Sequence, residues 1–132
     1  MQTTHQPHDP AGQVPAASRY SQAIETAPGL RFIHLSGQIG LRPDGTLAPD
    51  HAGQHTQTWR NVLGLLAAAG MHAGHLVRVN AYVTSPEQVP LYREARDEAL
   101  GEARPASTLV VVAALAAPDW VVEIEAVAAA PA

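Results

Sequence analysis

A chain of 132 residues with no cysteine is sized for one domain with its own core, and it excludes disulfides, thiolate catalysis and cysteine-held zinc. Its 8 basic and 12 acidic residues leave a net charge of -4 with no block of Lys or Arg, so nucleic acid is an unexpected partner. Charged residues make up 15% of the chain where about 25% is usual, which hints at surface covered by another subunit.

Residues 1–17 are rich in Pro, Gln and His without periodicity, and are expected to form a flexible N-terminal arm ahead of a single domain over 18–130. They lack the apolar core of a signal peptide, and no apolar run approaches the ~20 residues that span a bilayer. A cytoplasmic protein is the expectation. Strands are predicted over 20–25 and 30–36, joined as a hairpin by the turn Ala27-Pro28-Gly29. Asp50 is placed to cap a helix running to Ala69, with Thr56, Trp59, Leu63, Leu66 and Ala67 as its inner stripe and Gly70 as its end.

Leu76 to Thr84 reads as a strand with Val77, Val79, Ala81 and Val83 on one apolar face, and its alternation looks too irregular for half exposure. Ser85-Pro86 opens a helical segment whose regular part is expected nearer Pro90, with Tyr92, Ala95, Ala99 and Leu100 inside and Gly101 closing it. Thr108 to Leu115 is a continuous apolar, valine-rich run and predicts a buried strand. A last strand is predicted over 120–128. The order ββαβαββ points to an α+β sandwich, one mixed sheet covered on one face by two helices.

Two stretches carry candidate chemistry. In FIHLSGQIG, residues 32–40, a strand ends in Ser36-Gly37, which is either ordinary turn chemistry or the wall of a small polar pocket. No G-x-S-x-G elbow surrounds Ser36, so a serine hydrolase is rejected. In VVEIEAVA, residues 121–128, Glu123 and Glu125 project from the same strand face while Val122, Ile124 and Ala126 project from the other. Such carboxylates are either solvated on an open sheet face or poised in a cleft for acid–base work. His51 and His55 stand four apart near a helix start, but no third ligand and no H-E-x-x-H pattern accompany them, so no metal site is expected. His5 and His8 fall in the arm, and His72 and His75 in a loop. Trp59 and Trp120 read as core or interface aromatics.

Taken together, Tyr20, the run Ser36-Gly37-Gln38-Ile39, Asn61-Val62, Ala69-Gly70, Val77 to Val83, Pro105-Ala106 and Glu123-Ile124-Glu125-Ala126 resemble the RidA (YjgF) family over roughly residues 18–128. That resemblance implies a chorismate-mutase-like α+β fold and a homotrimer with ligand clefts between subunits. It also implies hydrolysis of small reactive imines and enamines, such as 2-aminoacrylate, without a metal or organic cofactor. Carried across, Tyr20, Ser36, Gly37 and Glu125 line the cleft, with Glu125 as the acid/base and Glu123 the weaker candidate.

One departure stands out. Where deaminating members carry an arginine that grips the substrate carboxylate, PASTLVVV has Ser107, and Leu109 stands where the best-known members have a cysteine. Arg104 lies at an odd offset, on the opposite strand face. Arg93, at a position where many members have asparagine, is a candidate relocated cation. Losing the cation weakens the case for 2-aminoacrylate-type acids. A non-catalytic trimeric binder of the same fold is the alternative, and an endoribonuclease the second, disfavoured by the acidic balance.

Overall fold

The computed structural model describes residues 5–132. In chain order the elements are β1 (His5–His8), β2 (Ala23–Thr26), β3 (Leu30–Gln38), α1 (His51–Ala68), β4 (Leu76–Val83), α2 (Gln88–Leu100), β5 (Ala106–Val111) and β6 (Val122–Pro131), with a 3₁₀ turn at Ala73–His75. Four strands form a mixed sheet in the order β3-β6-β4-β5, and β1 and β2 form a separate two-stranded ribbon. The α+β expectation holds, with two helices against the four-stranded sheet.

The first helix forms where its caps dictate. Asp50 accepts a 2.7 Å hydrogen bond from the Gly53 amide, satisfying one of the free N–H groups of the first turn. At the other end Gly70 takes φ +71°, and the amides of Gly70 and Met71 return to the carbonyls of Ala67 and Leu66 at 2.9 and 2.8 Å. The buried stripe of α1 is His55, Thr58, Trp59, Val62 and Leu66, so the predicted stripe is right at Trp59 and Leu66 but turned at Thr56 and Ala67, which are exposed. It turns because polar Gln54, His55 and Thr58 find partners inside, which an apolar pattern does not reveal.

The core lies between that stripe, Tyr92 and Leu100 of α2, and the inward residues Leu35, Val79, Ala81, Val83, Val122, Ile124, Ala126 and Ala128 of the sheet. Strand β4 alternates more cleanly than expected. Val79, Ala81 and Val83 are buried, while the intervening Arg78, Asn80 and Tyr82 are exposed or half-buried on the open face.

Several expectations need correction. The hairpin between residues 20–25 and 30–36 does not form: β2 pairs antiparallel with β1, and β3 pairs with β6. The Pro28-Gly29 turn reverses the chain, but register follows apolar surface, and only β3 offers a core face that meets Ala126 and Ala128 of β6. Tyr20 therefore precedes β2 rather than belonging to it. Within the segment expected as an arm, His5–His8 form a strand paired with β2; residues 1–4 lie outside the described residues.

The valine-rich run forms β5 only over Ala106–Val111, at the sheet edge instead of in its interior. Val110 and Val111 are 42% and 49% exposed there. Its parallel pairing to β4 is set by the α2 crossover, and that crossover delivers it to the open side of β4.

Candidate functional site

The Ser-Gly corner is a β-bulge. Between the pairs Leu35↔Ala126 and Gln38↔Ile124, Ser36 and Gly37 together oppose the single residue Glu125. The bulge exposes Ser36 and Gly37 beside β6. A Cβ at Gly37 would collide with the Glu123 carboxylate, so the bare glycine is what lets that acid lie against the β3 backbone. Behind the bulge, Asn61 of α1 donates to the carbonyls of Ile39 and Leu41 at 2.9 and 2.8 Å, and Gly40 packs directly on the backbone of Gln54. The corner is thus clamped to the first helix.

Glu123 and Glu125 share the open face, as their spacing predicts, and both are half-buried. Across the β4–β6 ladder Tyr82 stands opposite Glu123, and Asn80 opposite Glu125. The Tyr82 hydroxyl reaches diagonally and donates to Glu125 Oε1 at 2.7 Å. That bond, with the neighbouring negative charge, raises the Tyr82 pKa above its ordinary value and keeps the phenol a donor. Ser36, Gly37, Tyr82, Glu123 and Glu125 therefore form one acidic wall.

Tyr82 was not among the sequence candidates. The polar alternation Arg78, Asn80, Tyr82 was the available signal, since it puts the phenol on the glutamates' face.

The other predicted residues gather elsewhere. Tyr20, Arg93 and Ser107 line a cavity of about 410 Å³ with Tyr92 and Arg96, between α2, β5 and the segment before β2. That segment is held along β5 by a parallel bridge from Ser21 to Ala106, by the Ser21 amide on the Pro105 carbonyl at 3.2 Å, and by the Ser21 hydroxyl on the Arg104 carbonyl. Tyr20 accepts at its hydroxyl from the Ala17 amide, 3.2 Å away.

Arg96 is buried, donates to Asp97 Oδ1 at 2.9 and 3.0 Å and to the Ser18 hydroxyl at 2.8 Å, and lies 5.9 Å from the Tyr92 ring centre. Burial pushes the Tyr92 phenol up to about 12, against the opposing pull of Arg96. Arg104 is exposed and bonds only carbonyls of its own loop, at Gly101 and Ala103, away from this cavity.

One chain does not join the two groups. The bulge sits on edge strand β3 and Ser107 on the opposite edge strand β5, with β6 and β4 between them. Three strand spacings separate them by roughly 14 Å.

The histidines serve structure. His55 is fully buried and bonds Gln88 at 2.9 Å, which in turn bonds His51 at 2.8 Å, linking the two helices. The His72 and His75 rings lie 4.0 Å apart, tilted by 48°, and cap the 3₁₀ turn. Among the described residues no group of three or more His, Asp or Glu converges to hold a metal ion. Nor is any described helix long and apolar enough to cross a membrane.

A bulged edge strand beside a carboxylate-bearing strand, a parallel crossover strand and two helices on one face define a small α+β protein. Residues 11–130 match the family described as Endoribonuclease L-PSP, and the chain belongs to this family, the RidA (YjgF) family. A RutC family protein of Pyrococcus horikoshii is 32% identical over 83% of this chain and 85% of its own length. The Rid family protein YyfB of Yersinia pestis superposes with a TM-score of 0.85 at 27% identity, covering 96% of this chain and 98% of that one. RidA from a Psychrobacter species superposes with a TM-score of 0.70 at 30% identity over the same shares.

Proposed function

We propose that the chain hydrolyses a small imine or enamine in a cleft completed by a second copy of itself, within a homotrimer. The observation that carries this reading is the split site. The Ser36-Gly37 bulge of the acidic wall and the Ser107 side of the cation-bearing cavity lie on opposite edge strands of one sheet, and each group lacks what the other supplies. In a closed ring of identical subunits the wall of one meets the cavity of the next. The exposed Val110 and Val111, and Phe32 at 50% exposure, supply apolar surface for such a contact.

The chemistry then follows from the wall. A protonated imine carbon is already electrophilic, so the protein has to orient a water, remove its proton and return one to nitrogen. Tyr82 holds one oxygen of Glu125, leaving the other to take the proton of the attacking water. The carboxyl then returns that proton to nitrogen, and as the carbon–nitrogen bond breaks and ammonia leaves, the carboxylate takes the proton of the new hydroxyl so that a carbonyl forms. Ser36 and the Gly37 backbone border the reacting group. No metal or organic cofactor takes part in this scheme.

Ser107 in place of a carboxylate-gripping arginine favours a second reading, a trimeric protein that binds a small metabolite without turning it over. An endoribonuclease, the activity in the family's description, fits the net charge of -4 and the acidic wall poorly. The deciding assay measures ammonia release from 2-iminobutyrate generated in place by an amino acid oxidase, with light scattering on the same sample. Acceleration by a trimer is expected. A trimer that does not accelerate the reaction is the binder, and a monomer ends the split-site account.

A further inference from the structure

We propose that strand β1 is a pH-sensitive strap, docked at neutral pH on a capping box made of two histidines and released when either ring takes a proton. The docking point is the 3₁₀ turn at Ala73–His75. The His72 ring accepts at Nδ1 from the Gly74 amide at 3.0 Å, and the His75 ring accepts at Nδ1 from the His72 amide at 3.1 Å. A capping box is ordinarily built from a hydroxyl residue and a Glu or Gln, whose oxygens still accept at mildly acid pH. Here both acceptors are imidazole nitrogens. A backbone N–H only donates, so each bond exists only while that Nδ1 carries no proton.

His5 anchors the strap to this turn. Its Nε2 lies 2.8 Å from the His75 carbonyl, which only accepts, so that nitrogen carries a proton in the neutral and the charged ring alike. The weak point is therefore the turn beneath the anchor. At the far end of β1, His8 bonds the Glu25 carboxylate at 2.8 Å, a contact that charge on His8 strengthens. Release should start at His5 and leave the far end held. Between the two fastenings His5 and Pro7 wall a cavity of about 210 Å³ with Ser21, Ile24, Leu76 and Pro105. Opening the strap uncovers that apolar surface, next to the segment that carries Tyr20.

The surroundings give added positive charge little to rest on. His72 in the turn, His5 from β1 and Arg31 from β3 act on His75. Glu102 and Arg104, from the loop after α2, line the cavity that His5 and Gly74 share, and the Ala128–Ala130 end of β6 brings no charge. One carboxylate thus stands among two arginines and three histidines. Burial first, then His72, His5 and Arg31, hold the His75 imidazole below its ordinary value. The latched form binds fewer protons than the open one, so opening gains as pH falls. One unit below the ordinary histidine value of about 6.5, a ring that must be neutral in the latch favours opening by about tenfold.

Two measurements on the full chain test this. Ring-nitrogen NMR near neutrality should find His72 and His75 both protonated at Nε2, and a proton on Nδ1 of either ring overturns the assignment. Hydrogen exchange, corrected for the intrinsic rate, then compares about pH 7.5 with about pH 5.5, either side of the histidine range. It is run on wild type and on the double variant His72→Asn/His75→Gln, whose side-chain oxygens accept at both values. In wild type, protection at residues 5–6, their partners 25–26 and the turn 72–75 should fall about tenfold or more at the lower pH, while α1, β4 and β6 keep theirs. In the double variant it should stay level. Equal protection at both pH values in wild type, a fall of the same size in the double variant, or a fall spread evenly over the core each overturns the strap. Should the double variant not fold, the wild-type titration decides: exchange at residues 5–6 must rise with the midpoint of the His72 or His75 ring shift, and separate midpoints overturn the proposal.

Discussion

The acidic wall of β3, β4 and β6 and the basic cavity of α2 and β5 share one sheet, yet they are built by different means. The wall comes from strand periodicity. Glu123 and Glu125 face one way because they are two apart, Tyr82 joins them by ladder register, and a single bulge brings Ser36 and Gly37 alongside. The cavity comes from tertiary placement. Tyr20, Arg93 and Ser107 are 73 and 14 residues apart in the chain (93 - 20 and 107 - 93), and no local pattern links them. A site made by periodicity has its side chains fixed by backbone pairing. A site made by placement relies on the Ser21 contacts and the docking of α2.

The largest effect is expected on the wall. Replacing Glu125 by Gln keeps the shape and the Tyr82 contact but removes the carboxylate proposed to carry the proton, so turnover of any accepted imine should fall by about 10² to 10⁴. The fold should survive, because Glu125 faces away from the core. A second readout separates loss of charge from loss of fold. The negative charge of Glu125 and its hydrogen bond hold the Tyr82 phenol above its ordinary pKa, so in Glu125→Gln the Tyr82 titration should move to lower pH. Unchanged turnover in a folded variant removes Glu125 as the acid/base. A larger loss in Glu123→Gln would transfer the role to its neighbour.

Gly37→Ala sharpens the comparison at smaller amplitude. The new Cβ would collide with the Glu123 carboxylate, which is the movable end of a flexible side chain, so the acid swings aside and the strand stays. Stability should change by less than about 1 kcal/mol, as at most exposed positions. Turnover should fall about tenfold, roughly 1.4 kcal/mol in barrier. Denaturant midpoints and initial rates on the same preparation check this split. Full activity would place Glu123 outside the reacting groups.

The same contrast explains what could be read before any coordinates. Helix α1 was legible at both ends because Asp50 and Gly70 are local signals for local geometry. The shared face of Glu123 and Glu125 was legible because strand period needs no partner. The pairing of β2 with β1 was not, since register depends on apolar surface that arrives from residues far along the chain. Nor was the edge position of β5, because a continuous apolar run is common to a strand buried by its own sheet and one left for a partner to cover. Arg93 and Ser107 were named from their positions in the sequence. Their meeting in one cavity depends on how α2 crosses from β4 to β5.

The smallest effect lies away from both regions, in the helix pair that carries them. His55 is fully buried, and burial pushes its imidazole below the ordinary value, only partly opposed by the hydrogen bond with Gln88. A histidine with a depressed folded pKa binds its proton more readily when unfolded. Its contribution is therefore complete above the unfolded value of about 6.5 and is lost as pH falls toward the folded value. In that window stability should drop by at most about 1.4 kcal/mol per pH unit for this one group. His75 is shifted in the same direction, again chiefly by burial, so total acid sensitivity cannot be credited to His55 alone. His55→Gln isolates it: the variant should be less stable than wild type near neutrality, because a buried hydrogen bond is remade imperfectly, yet its urea midpoint should fall less steeply on acidification. Parallel midpoint curves for the two proteins would mean that the buried imidazole does not govern acid unfolding.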